Sequence, residues 1–206
     1  MCRGSVSRLV FAGVILAAMT GASALASEPA GGPFMVTTGK TSQPIGHYEF
    51  CQIHISECQV RSRKAERVVL TPRLWNQLVA VNAQVNLSVT PATDEEVYGR
   101  QEWWAYPTTR GDCEDLVLLK RRDLIQKGWP VGALLITVVR QKNGEGHAVL
   151  TVETDRGDLI LDNLQPRVLV WNDTDYQYVK RQSELNSGQW VGIDDARTVA
   201  VGSLTR

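Results

Sequence analysis

Long apolar runs are nearly missing from this chain of 206 residues. The longest, Leu9 to Met19, spans about 11 residues and cannot cross a hydrocarbon core of about 30 Å. It follows Arg3 and Arg8 and precedes Ala24-Leu25-Ala26, so residues 1–26 read as a cleaved export signal. An excess of charge of either sign is also lacking, with 22 basic and 22 acidic residues. Losing the two arginines of the signal leaves about −2, which gives no electrostatic footprint for nucleic acid. The basic pair Arg121-Arg122 reads as a solvated helix face. Internal repeats and coiled-coil heptads are absent too, and a mature chain of about 180 residues forms one α+β domain most economically.

Cysteine is scarce, at four, and Cys2 leaves with the signal. Export places Cys51, Cys58 and Cys113 in an oxidising compartment. Cys51 and Cys58 can close a short loop as a disulfide, which the chain-entropy account values at roughly 2 to 3 kcal/mol. The alternative is a zinc site built from His47, Cys51, His54 and Cys58, although the paired ligand spacings of zinc fingers are missing. With the disulfide formed, Cys113 is the free thiol.

Residues 27–43 are rich in Gly, Pro, Ser and Thr and read as a flexible lead-in, with the domain occupying residues 44–206. A helix is predicted from Thr71 as N-cap and Pro72 at the first helical position, with Leu74, Leu78, Val81 and Val85 at helical spacing until Pro91 ends it. A second runs from Asp112 as N-cap, with Asp115 in a capping-box-like place, to Gly128 and Pro130. Only its later turns are expected to face water. "ALLITVVR", "HAVLTVET" and "DLILDNL" then form an antiparallel meander, which "YQYVKR" and "QWVG" extend.

A nucleophilic thiol needs a base within hydrogen-bond reach and a group that orients the base. Cys113 begins the second helix, His147 opens one strand and Asp162 closes the next. If Thr154 pairs with Gly157, His147 lies opposite Leu164 and diagonal to Asp162 on one face; a slip of one residue puts Asp162 on the other. Three acids, Asp112, Glu114 and Asp115, surround the thiol and oppose its ionisation. They serve either as helix cap and dipole complement or as ligands for a hard cation such as Ca²⁺.

"GDCED", "GEGHAVL" and "LDN", in that order, with "EWWAYP" before the Cys, resemble the bacterial transglutaminase-like cysteine peptidases, relatives of periplasmic proteases that trim surface adhesins. The resemblance covers roughly residues 48–191. It implies a papain/transglutaminase-like fold, with a Cys-bearing helix packed on an antiparallel sheet. It makes Cys113 the nucleophile, His147 the general base and acid, and Asp162 the orienter of the imidazole. The implied reaction is peptide hydrolysis through a thioester, with the backbone N–H of Cys113 as one oxyanion donor and Trp104 or Gln101 near that region. It further implies Ca²⁺ on Asp112, Glu114 and Asp115, a protein or peptide substrate, a periplasmic location and an inner-membrane regulatory partner. Two other readings share the fold: acyl transfer to an amine, and a catalytically silent peptide- or calcium-binding module.

Overall fold

The computed structural model describes residues 32–65 and 67–197, so the expected export signal lies outside the described residues. The segment read as a flexible lead-in is corrected in part. Strand β1, Val36–Thr41, pairs antiparallel with residues Trp190–Asp194 of the last strand. Upstream of it, Pro33 C=O accepts the Asp158 N–H at 2.8 Å, so the packed domain begins before Pro44. This strand lies at the sheet edge with most side chains exposed, so its order comes from ladder hydrogen bonds that leave no hydrophobic period to read.

Helices α1, Ile45–Ile53, and α2, Ile55–Cys58, follow, and a Cys51–Cys58 disulfide joins them. Both thiols proposed as zinc ligands are thereby used. Gly46 is required where α1 meets the indole of Trp104, because a Cβ there would lie 2.3 Å from the ring. Helix α3, Pro72–Ser88, starts as predicted: Thr71 Oγ1 accepts the Leu74 N–H, and Leu78, Val81 and Val85 are buried.

Strand β2, Thr90–Pro91, forms a short parallel ladder with β3, Arg110–Gly111, and between them lies α4, Asp94–Tyr98. Thr93 and Glu96 form a reciprocal capping box on α4. The ladder brings the start of α4 beside the start of α5, Cys113–Gln126. Gly128, at φ +90°, lies just beyond the end of α5, where sequence predicted the stop.

Helix α5 packs on the sheet and on α3. Leu116, Val117 and Leu124 join Leu78, Val81, Val85, Ile136, Leu150 and Leu161 in one core. The expectation of a solvated basic face fails at Arg121, while Arg122 is half-buried, its guanidinium 4.0 Å from the centroid of the Tyr106 ring. Lys120 is fully buried, and Arg121 is buried with its Nε donating to the Leu134 carbonyl at 3.0 Å. The long stems of these side chains fill core volume, and for Arg121 the backbone acceptor offsets part of the cost of burial.

The sheet continues through β4, Leu134–Arg140; β5, Gly146–Thr154; β6, Gly157–Leu161; β7, Leu169–Val170; β8, Gln177–Ser183; and β9, Asn186–Asp194. Its order is β1-β9-β8-β4-β5-β6-β7, antiparallel throughout. The α+β class and the Cys-bearing helix lying against an antiparallel sheet are as expected. Among the described residues no helix is long and apolar enough to cross a membrane.

Candidate active site

Thr154 pairs with Gly157 across the β5–β6 hairpin. Continued beyond the end of β6, that register sets His147 opposite Leu164 and on the same face as Asp162. His147 Nε2 lies 2.8 Å from Asp162 Oδ1, and both residues are buried. This leaves Nδ1 as the ring nitrogen available to a nucleophile. Cys113, at the first position of α5, lies near the backbone of Ala148, the residue after His147. The start of α5 thus lies beside the strand that carries His147, and the end of the next strand supplies Asp162.

Asp162 is held from every side. Its Oδ1 also accepts the Leu164 N–H at 2.9 Å, its Oδ2 accepts the Tyr176 hydroxyl at 2.5 Å, and its main-chain carbonyl accepts Asn86 Nδ2 at 2.8 Å. Burial alone would push its carboxyl up, but the hydrogen bonds from His147, Tyr176 and Leu164 outweigh burial and hold it below the usual range.

The acids divide differently from the expected set. Asp112 occupies the N-cap position with extended backbone, yet its side chain makes no capping hydrogen bond. Asp115 turns away from the thiol: Oδ1 accepts the Ala105 N–H at 2.8 Å and Oδ2 accepts the Tyr98 hydroxyl at 3.2 Å. Gly111 permits this, since a Cβ there would sit 2.6 Å from Asp115 Oδ2. Asp94, from the start of α4, takes its place beside the other two. One carboxylate oxygen each from Asp94, Asp112 and Glu114 lies within 4.8 Å of the others. Asp94 Oδ1 and Asp112 Oδ1 are buried without a hydrogen-bond partner.

Such crowding has a clear electrostatic signature. Burial, then repulsion from Glu114, Asp94 and Asp115, pushes the Asp112 carboxyl up to about 9. Burial also raises Asp94 and Glu114, and it takes Asp115 up to about 7. The Cys113 thiol, raised first by burial and then by the charge of Glu114, donates to Glu114 Oε2 at 2.8 Å rather than to His147. A group of buried and half-buried carboxylates, two of them with a buried oxygen left unpartnered, offers the donor set of a hard cation. The grouped oxygens of Asp94, Asp112 and Glu114 could therefore hold a cation such as Ca²⁺, whereas Asp115 accepts from Ala105 and Tyr98.

Of the two residues expected near the oxyanion, Gln101 is exposed, and the buried Trp104 commits its Nε1–H to Glu102 at 2.9 Å. Asp94, Asn86 and Tyr176 escaped sequence reasoning. The Thr93–Glu96 pair marks a helix start but not a site at Asp94, and nothing local marks Asn86 or Tyr176 as neighbours of Asp162.

The profile of a family described as bacterial transglutaminase-like cysteine proteinases, BTLCP, matches residues 37–198. No curated protein matches the chain. Among solved structures the chain is similar to Legionella pneumophila LapG. The calcium-bound form is 27% identical, covering 56% of this chain and 67% of that one, with a TM-score of 0.49. The EGTA-treated form is 26% identical, covering 61% and 73%, with a TM-score of 0.48.

Proposed function

The chain belongs to the bacterial transglutaminase-like cysteine proteinase family, and from that premise we propose that it is an exported, periplasmic endopeptidase using Cys113, His147 and Asp162. The observation that carries this reading is the buried His147–Asp162 pair, at 2.8 Å, beside the N-terminus of a helix that begins with the free thiol.

The chemistry follows from the atoms available. His147 Nδ1 takes the Cys113 proton as Sγ attacks the scissile carbonyl carbon, while Asp162 holds Nε2–H and stabilises the imidazolium. The oxyanion develops at the N-terminus of α5, where the Cys113 N–H and the helix dipole favour negative charge. His147 then gives its proton to the leaving amine as the C–N bond breaks, which leaves a thioester on Cys113. Water, deprotonated by His147, attacks that thioester, and the acid product departs as the thiol is restored.

Asp94, Asp112 and Glu114 would hold Ca²⁺, and its charge would offset the repulsion that keeps the Cys113 thiol protonated. The substrate class is a protein or peptide, and an inner-membrane regulatory partner belongs to this reading through the family resemblance.

The test is the rate of Cys113 alkylation by iodoacetamide in the mature protein, with calcium and with chelator, in wild type and His147→Ala. Fast labelling that depends on His147 and rises with calcium supports the peptidase. Slow labelling, indifferent to His147 in both states, would assign the chain to the silent binding module.

A further inference from the structure

Tyr176 lies just before β8, two strands away from β5 in the sheet, yet its side chain reaches both members of the buried pair. Its hydroxyl donates to Asp162 Oδ2 at 2.5 Å. Its ring lies 5.4 Å from the His147 ring, centroid to centroid, tilted by 54°. It also lines a cavity of about 350 Å³ together with Leu164, Arg167 and Thr174.

The loop that delivers Tyr176 is fastened by the segment that follows β9. The Arg197 guanidinium donates to three carbonyls of the same segment: Tyr176 at 2.7 Å, Thr174 at 3.1 Å and Trp171 at 3.3 Å. Asp195 orients that guanidinium through Nε and Nη2, each at 2.8 Å, and also accepts the Tyr178 N–H at 2.9 Å. Three backbone acceptors converging on one planar donor fix the loop far more tightly than a single contact would.

From this geometry we infer that Tyr176 is a positioning residue of the reaction, held by Arg197, whose hydroxyl locks the Asp162 carboxylate in the rotamer that bonds His147 Nε2. The inference rests on the triad reading above. A carboxylate with only His147 and Leu164 as donors can rotate about its terminal torsion, where the energy well is broad. The third donor occupies Oδ2 and removes that freedom, so the imidazole keeps Nδ1 toward the thiol. The ring of Tyr176 adds a wall against His147, which limits tilting of the imidazole.

The experiment compares the mature wild-type protein with Tyr176→Phe, which keeps the ring and removes only the donor, and with Arg197→Gln, which loosens the loop. Two quantities are read: the iodoacetamide rate at Cys113, and solvent exchange of the His147 Nε2–H proton by NMR, assignable because the chain has three histidines. The expected result for Tyr176→Phe is an alkylation rate about three- to tenfold lower and Nε2–H exchange about tenfold faster, in a protein that stays folded and unfolds cooperatively. Arg197→Gln should move both readouts in the same direction. Unchanged exchange and unchanged labelling in Tyr176→Phe would overturn the inference. If His147→Ala leaves wild-type labelling unaltered, the triad reading fails by itself, while faster Nε2–H exchange in Tyr176→Phe would still support the positioning of Asp162 by Tyr176.

Discussion

The thiol of Cys113 donates its hydrogen bond to Glu114, its own neighbour in the chain, at 2.8 Å. An acceptor carboxylate holds the proton on sulfur, and the charge of Glu114 adds to burial in raising the thiol. Removing that charge should release the nucleophile. In chelator at pH 7, Glu114→Gln is expected to alkylate about fivefold faster than wild type, and added calcium should no longer accelerate it. A rate equal to that of wild type in chelator would show that Glu114 does not restrain the thiol.

Calcium should distinguish Asp94 from Asp115. By calorimetry, Asp94→Asn is expected to weaken Ca²⁺ binding about tenfold or more, because it removes a ligand charge. Asp115→Asn should leave the affinity close to wild type and instead cost about 1 to 3 kcal/mol of stability through its bonds to Ala105 and Tyr98. The reverse pattern would restore Asp115 to the ligand set.

The same acids set a pH dependence. Because the folded Asp112 carboxyl is raised to about 9 from 3.8, its stabilising contribution is present below pH 3.8 and is lost as pH rises toward 9. A cation that neutralises the cluster should therefore raise the melting temperature more at pH 8 than at pH 5. Equal shifts at the two pH values would mean that the cation binds elsewhere.

Lys120 offers a stability prediction. Its Nζ is buried without a hydrogen-bond partner, and burial lowers it to about 7 from 10.5, against the opposing charges of Asp162 and Cys113. The folded state therefore loses stability as pH falls from 10.5 to 7, by up to ~1.4 kcal/mol per pH unit. Lys120→Met, of similar length, should melt higher than wild type, with a larger gain at pH 7 than at pH 10. Urea unfolding at the two values measures it.

His47 predicts the acid side. Trp190 Nε1 donates to Nδ1 at 3.2 Å. Gln182 Nε2 faces the ring's Nε2 at 3.1 Å, in an orientation fixed by Ser187 C=O and Ile136 N–H. Burial, with the nearby charge of Arg121 second, lowers the imidazole to about 3 from 6.5. The unfolded chain thus binds an extra proton between pH 6.5 and 3, and stability falls by up to ~1.4 kcal/mol per pH unit as pH drops through that window. Raised carboxylates act in the opposite sense, so the wild-type protein should be compared with His47→Asn, in which this loss is absent.

What the sequence determined by itself was local. The cap at Thr71, the stop at Gly128 and the Val-, Ile-, Leu- and Thr-rich runs of β4, β5 and β6 are short-range preferences, and they placed Cys113 at a helix start with His147 and Asp162 at strand ends. Even the hairpin register needed the fold, since Thr154 can meet Gly157 or its neighbour without any change in local pattern. Tertiary structure alone decided that Asp94 joins Asp112 and Glu114, that Asp115 serves the backbone, that Tyr176 reaches Asp162 and that Lys120 and Arg121 are buried. The reason is the range of the forces. Helix and strand periods report which face a side chain takes, whereas these contacts join residues carried together by the β2–β3 ladder and by the loop that Arg197 fastens, and no local preference encodes where such segments meet.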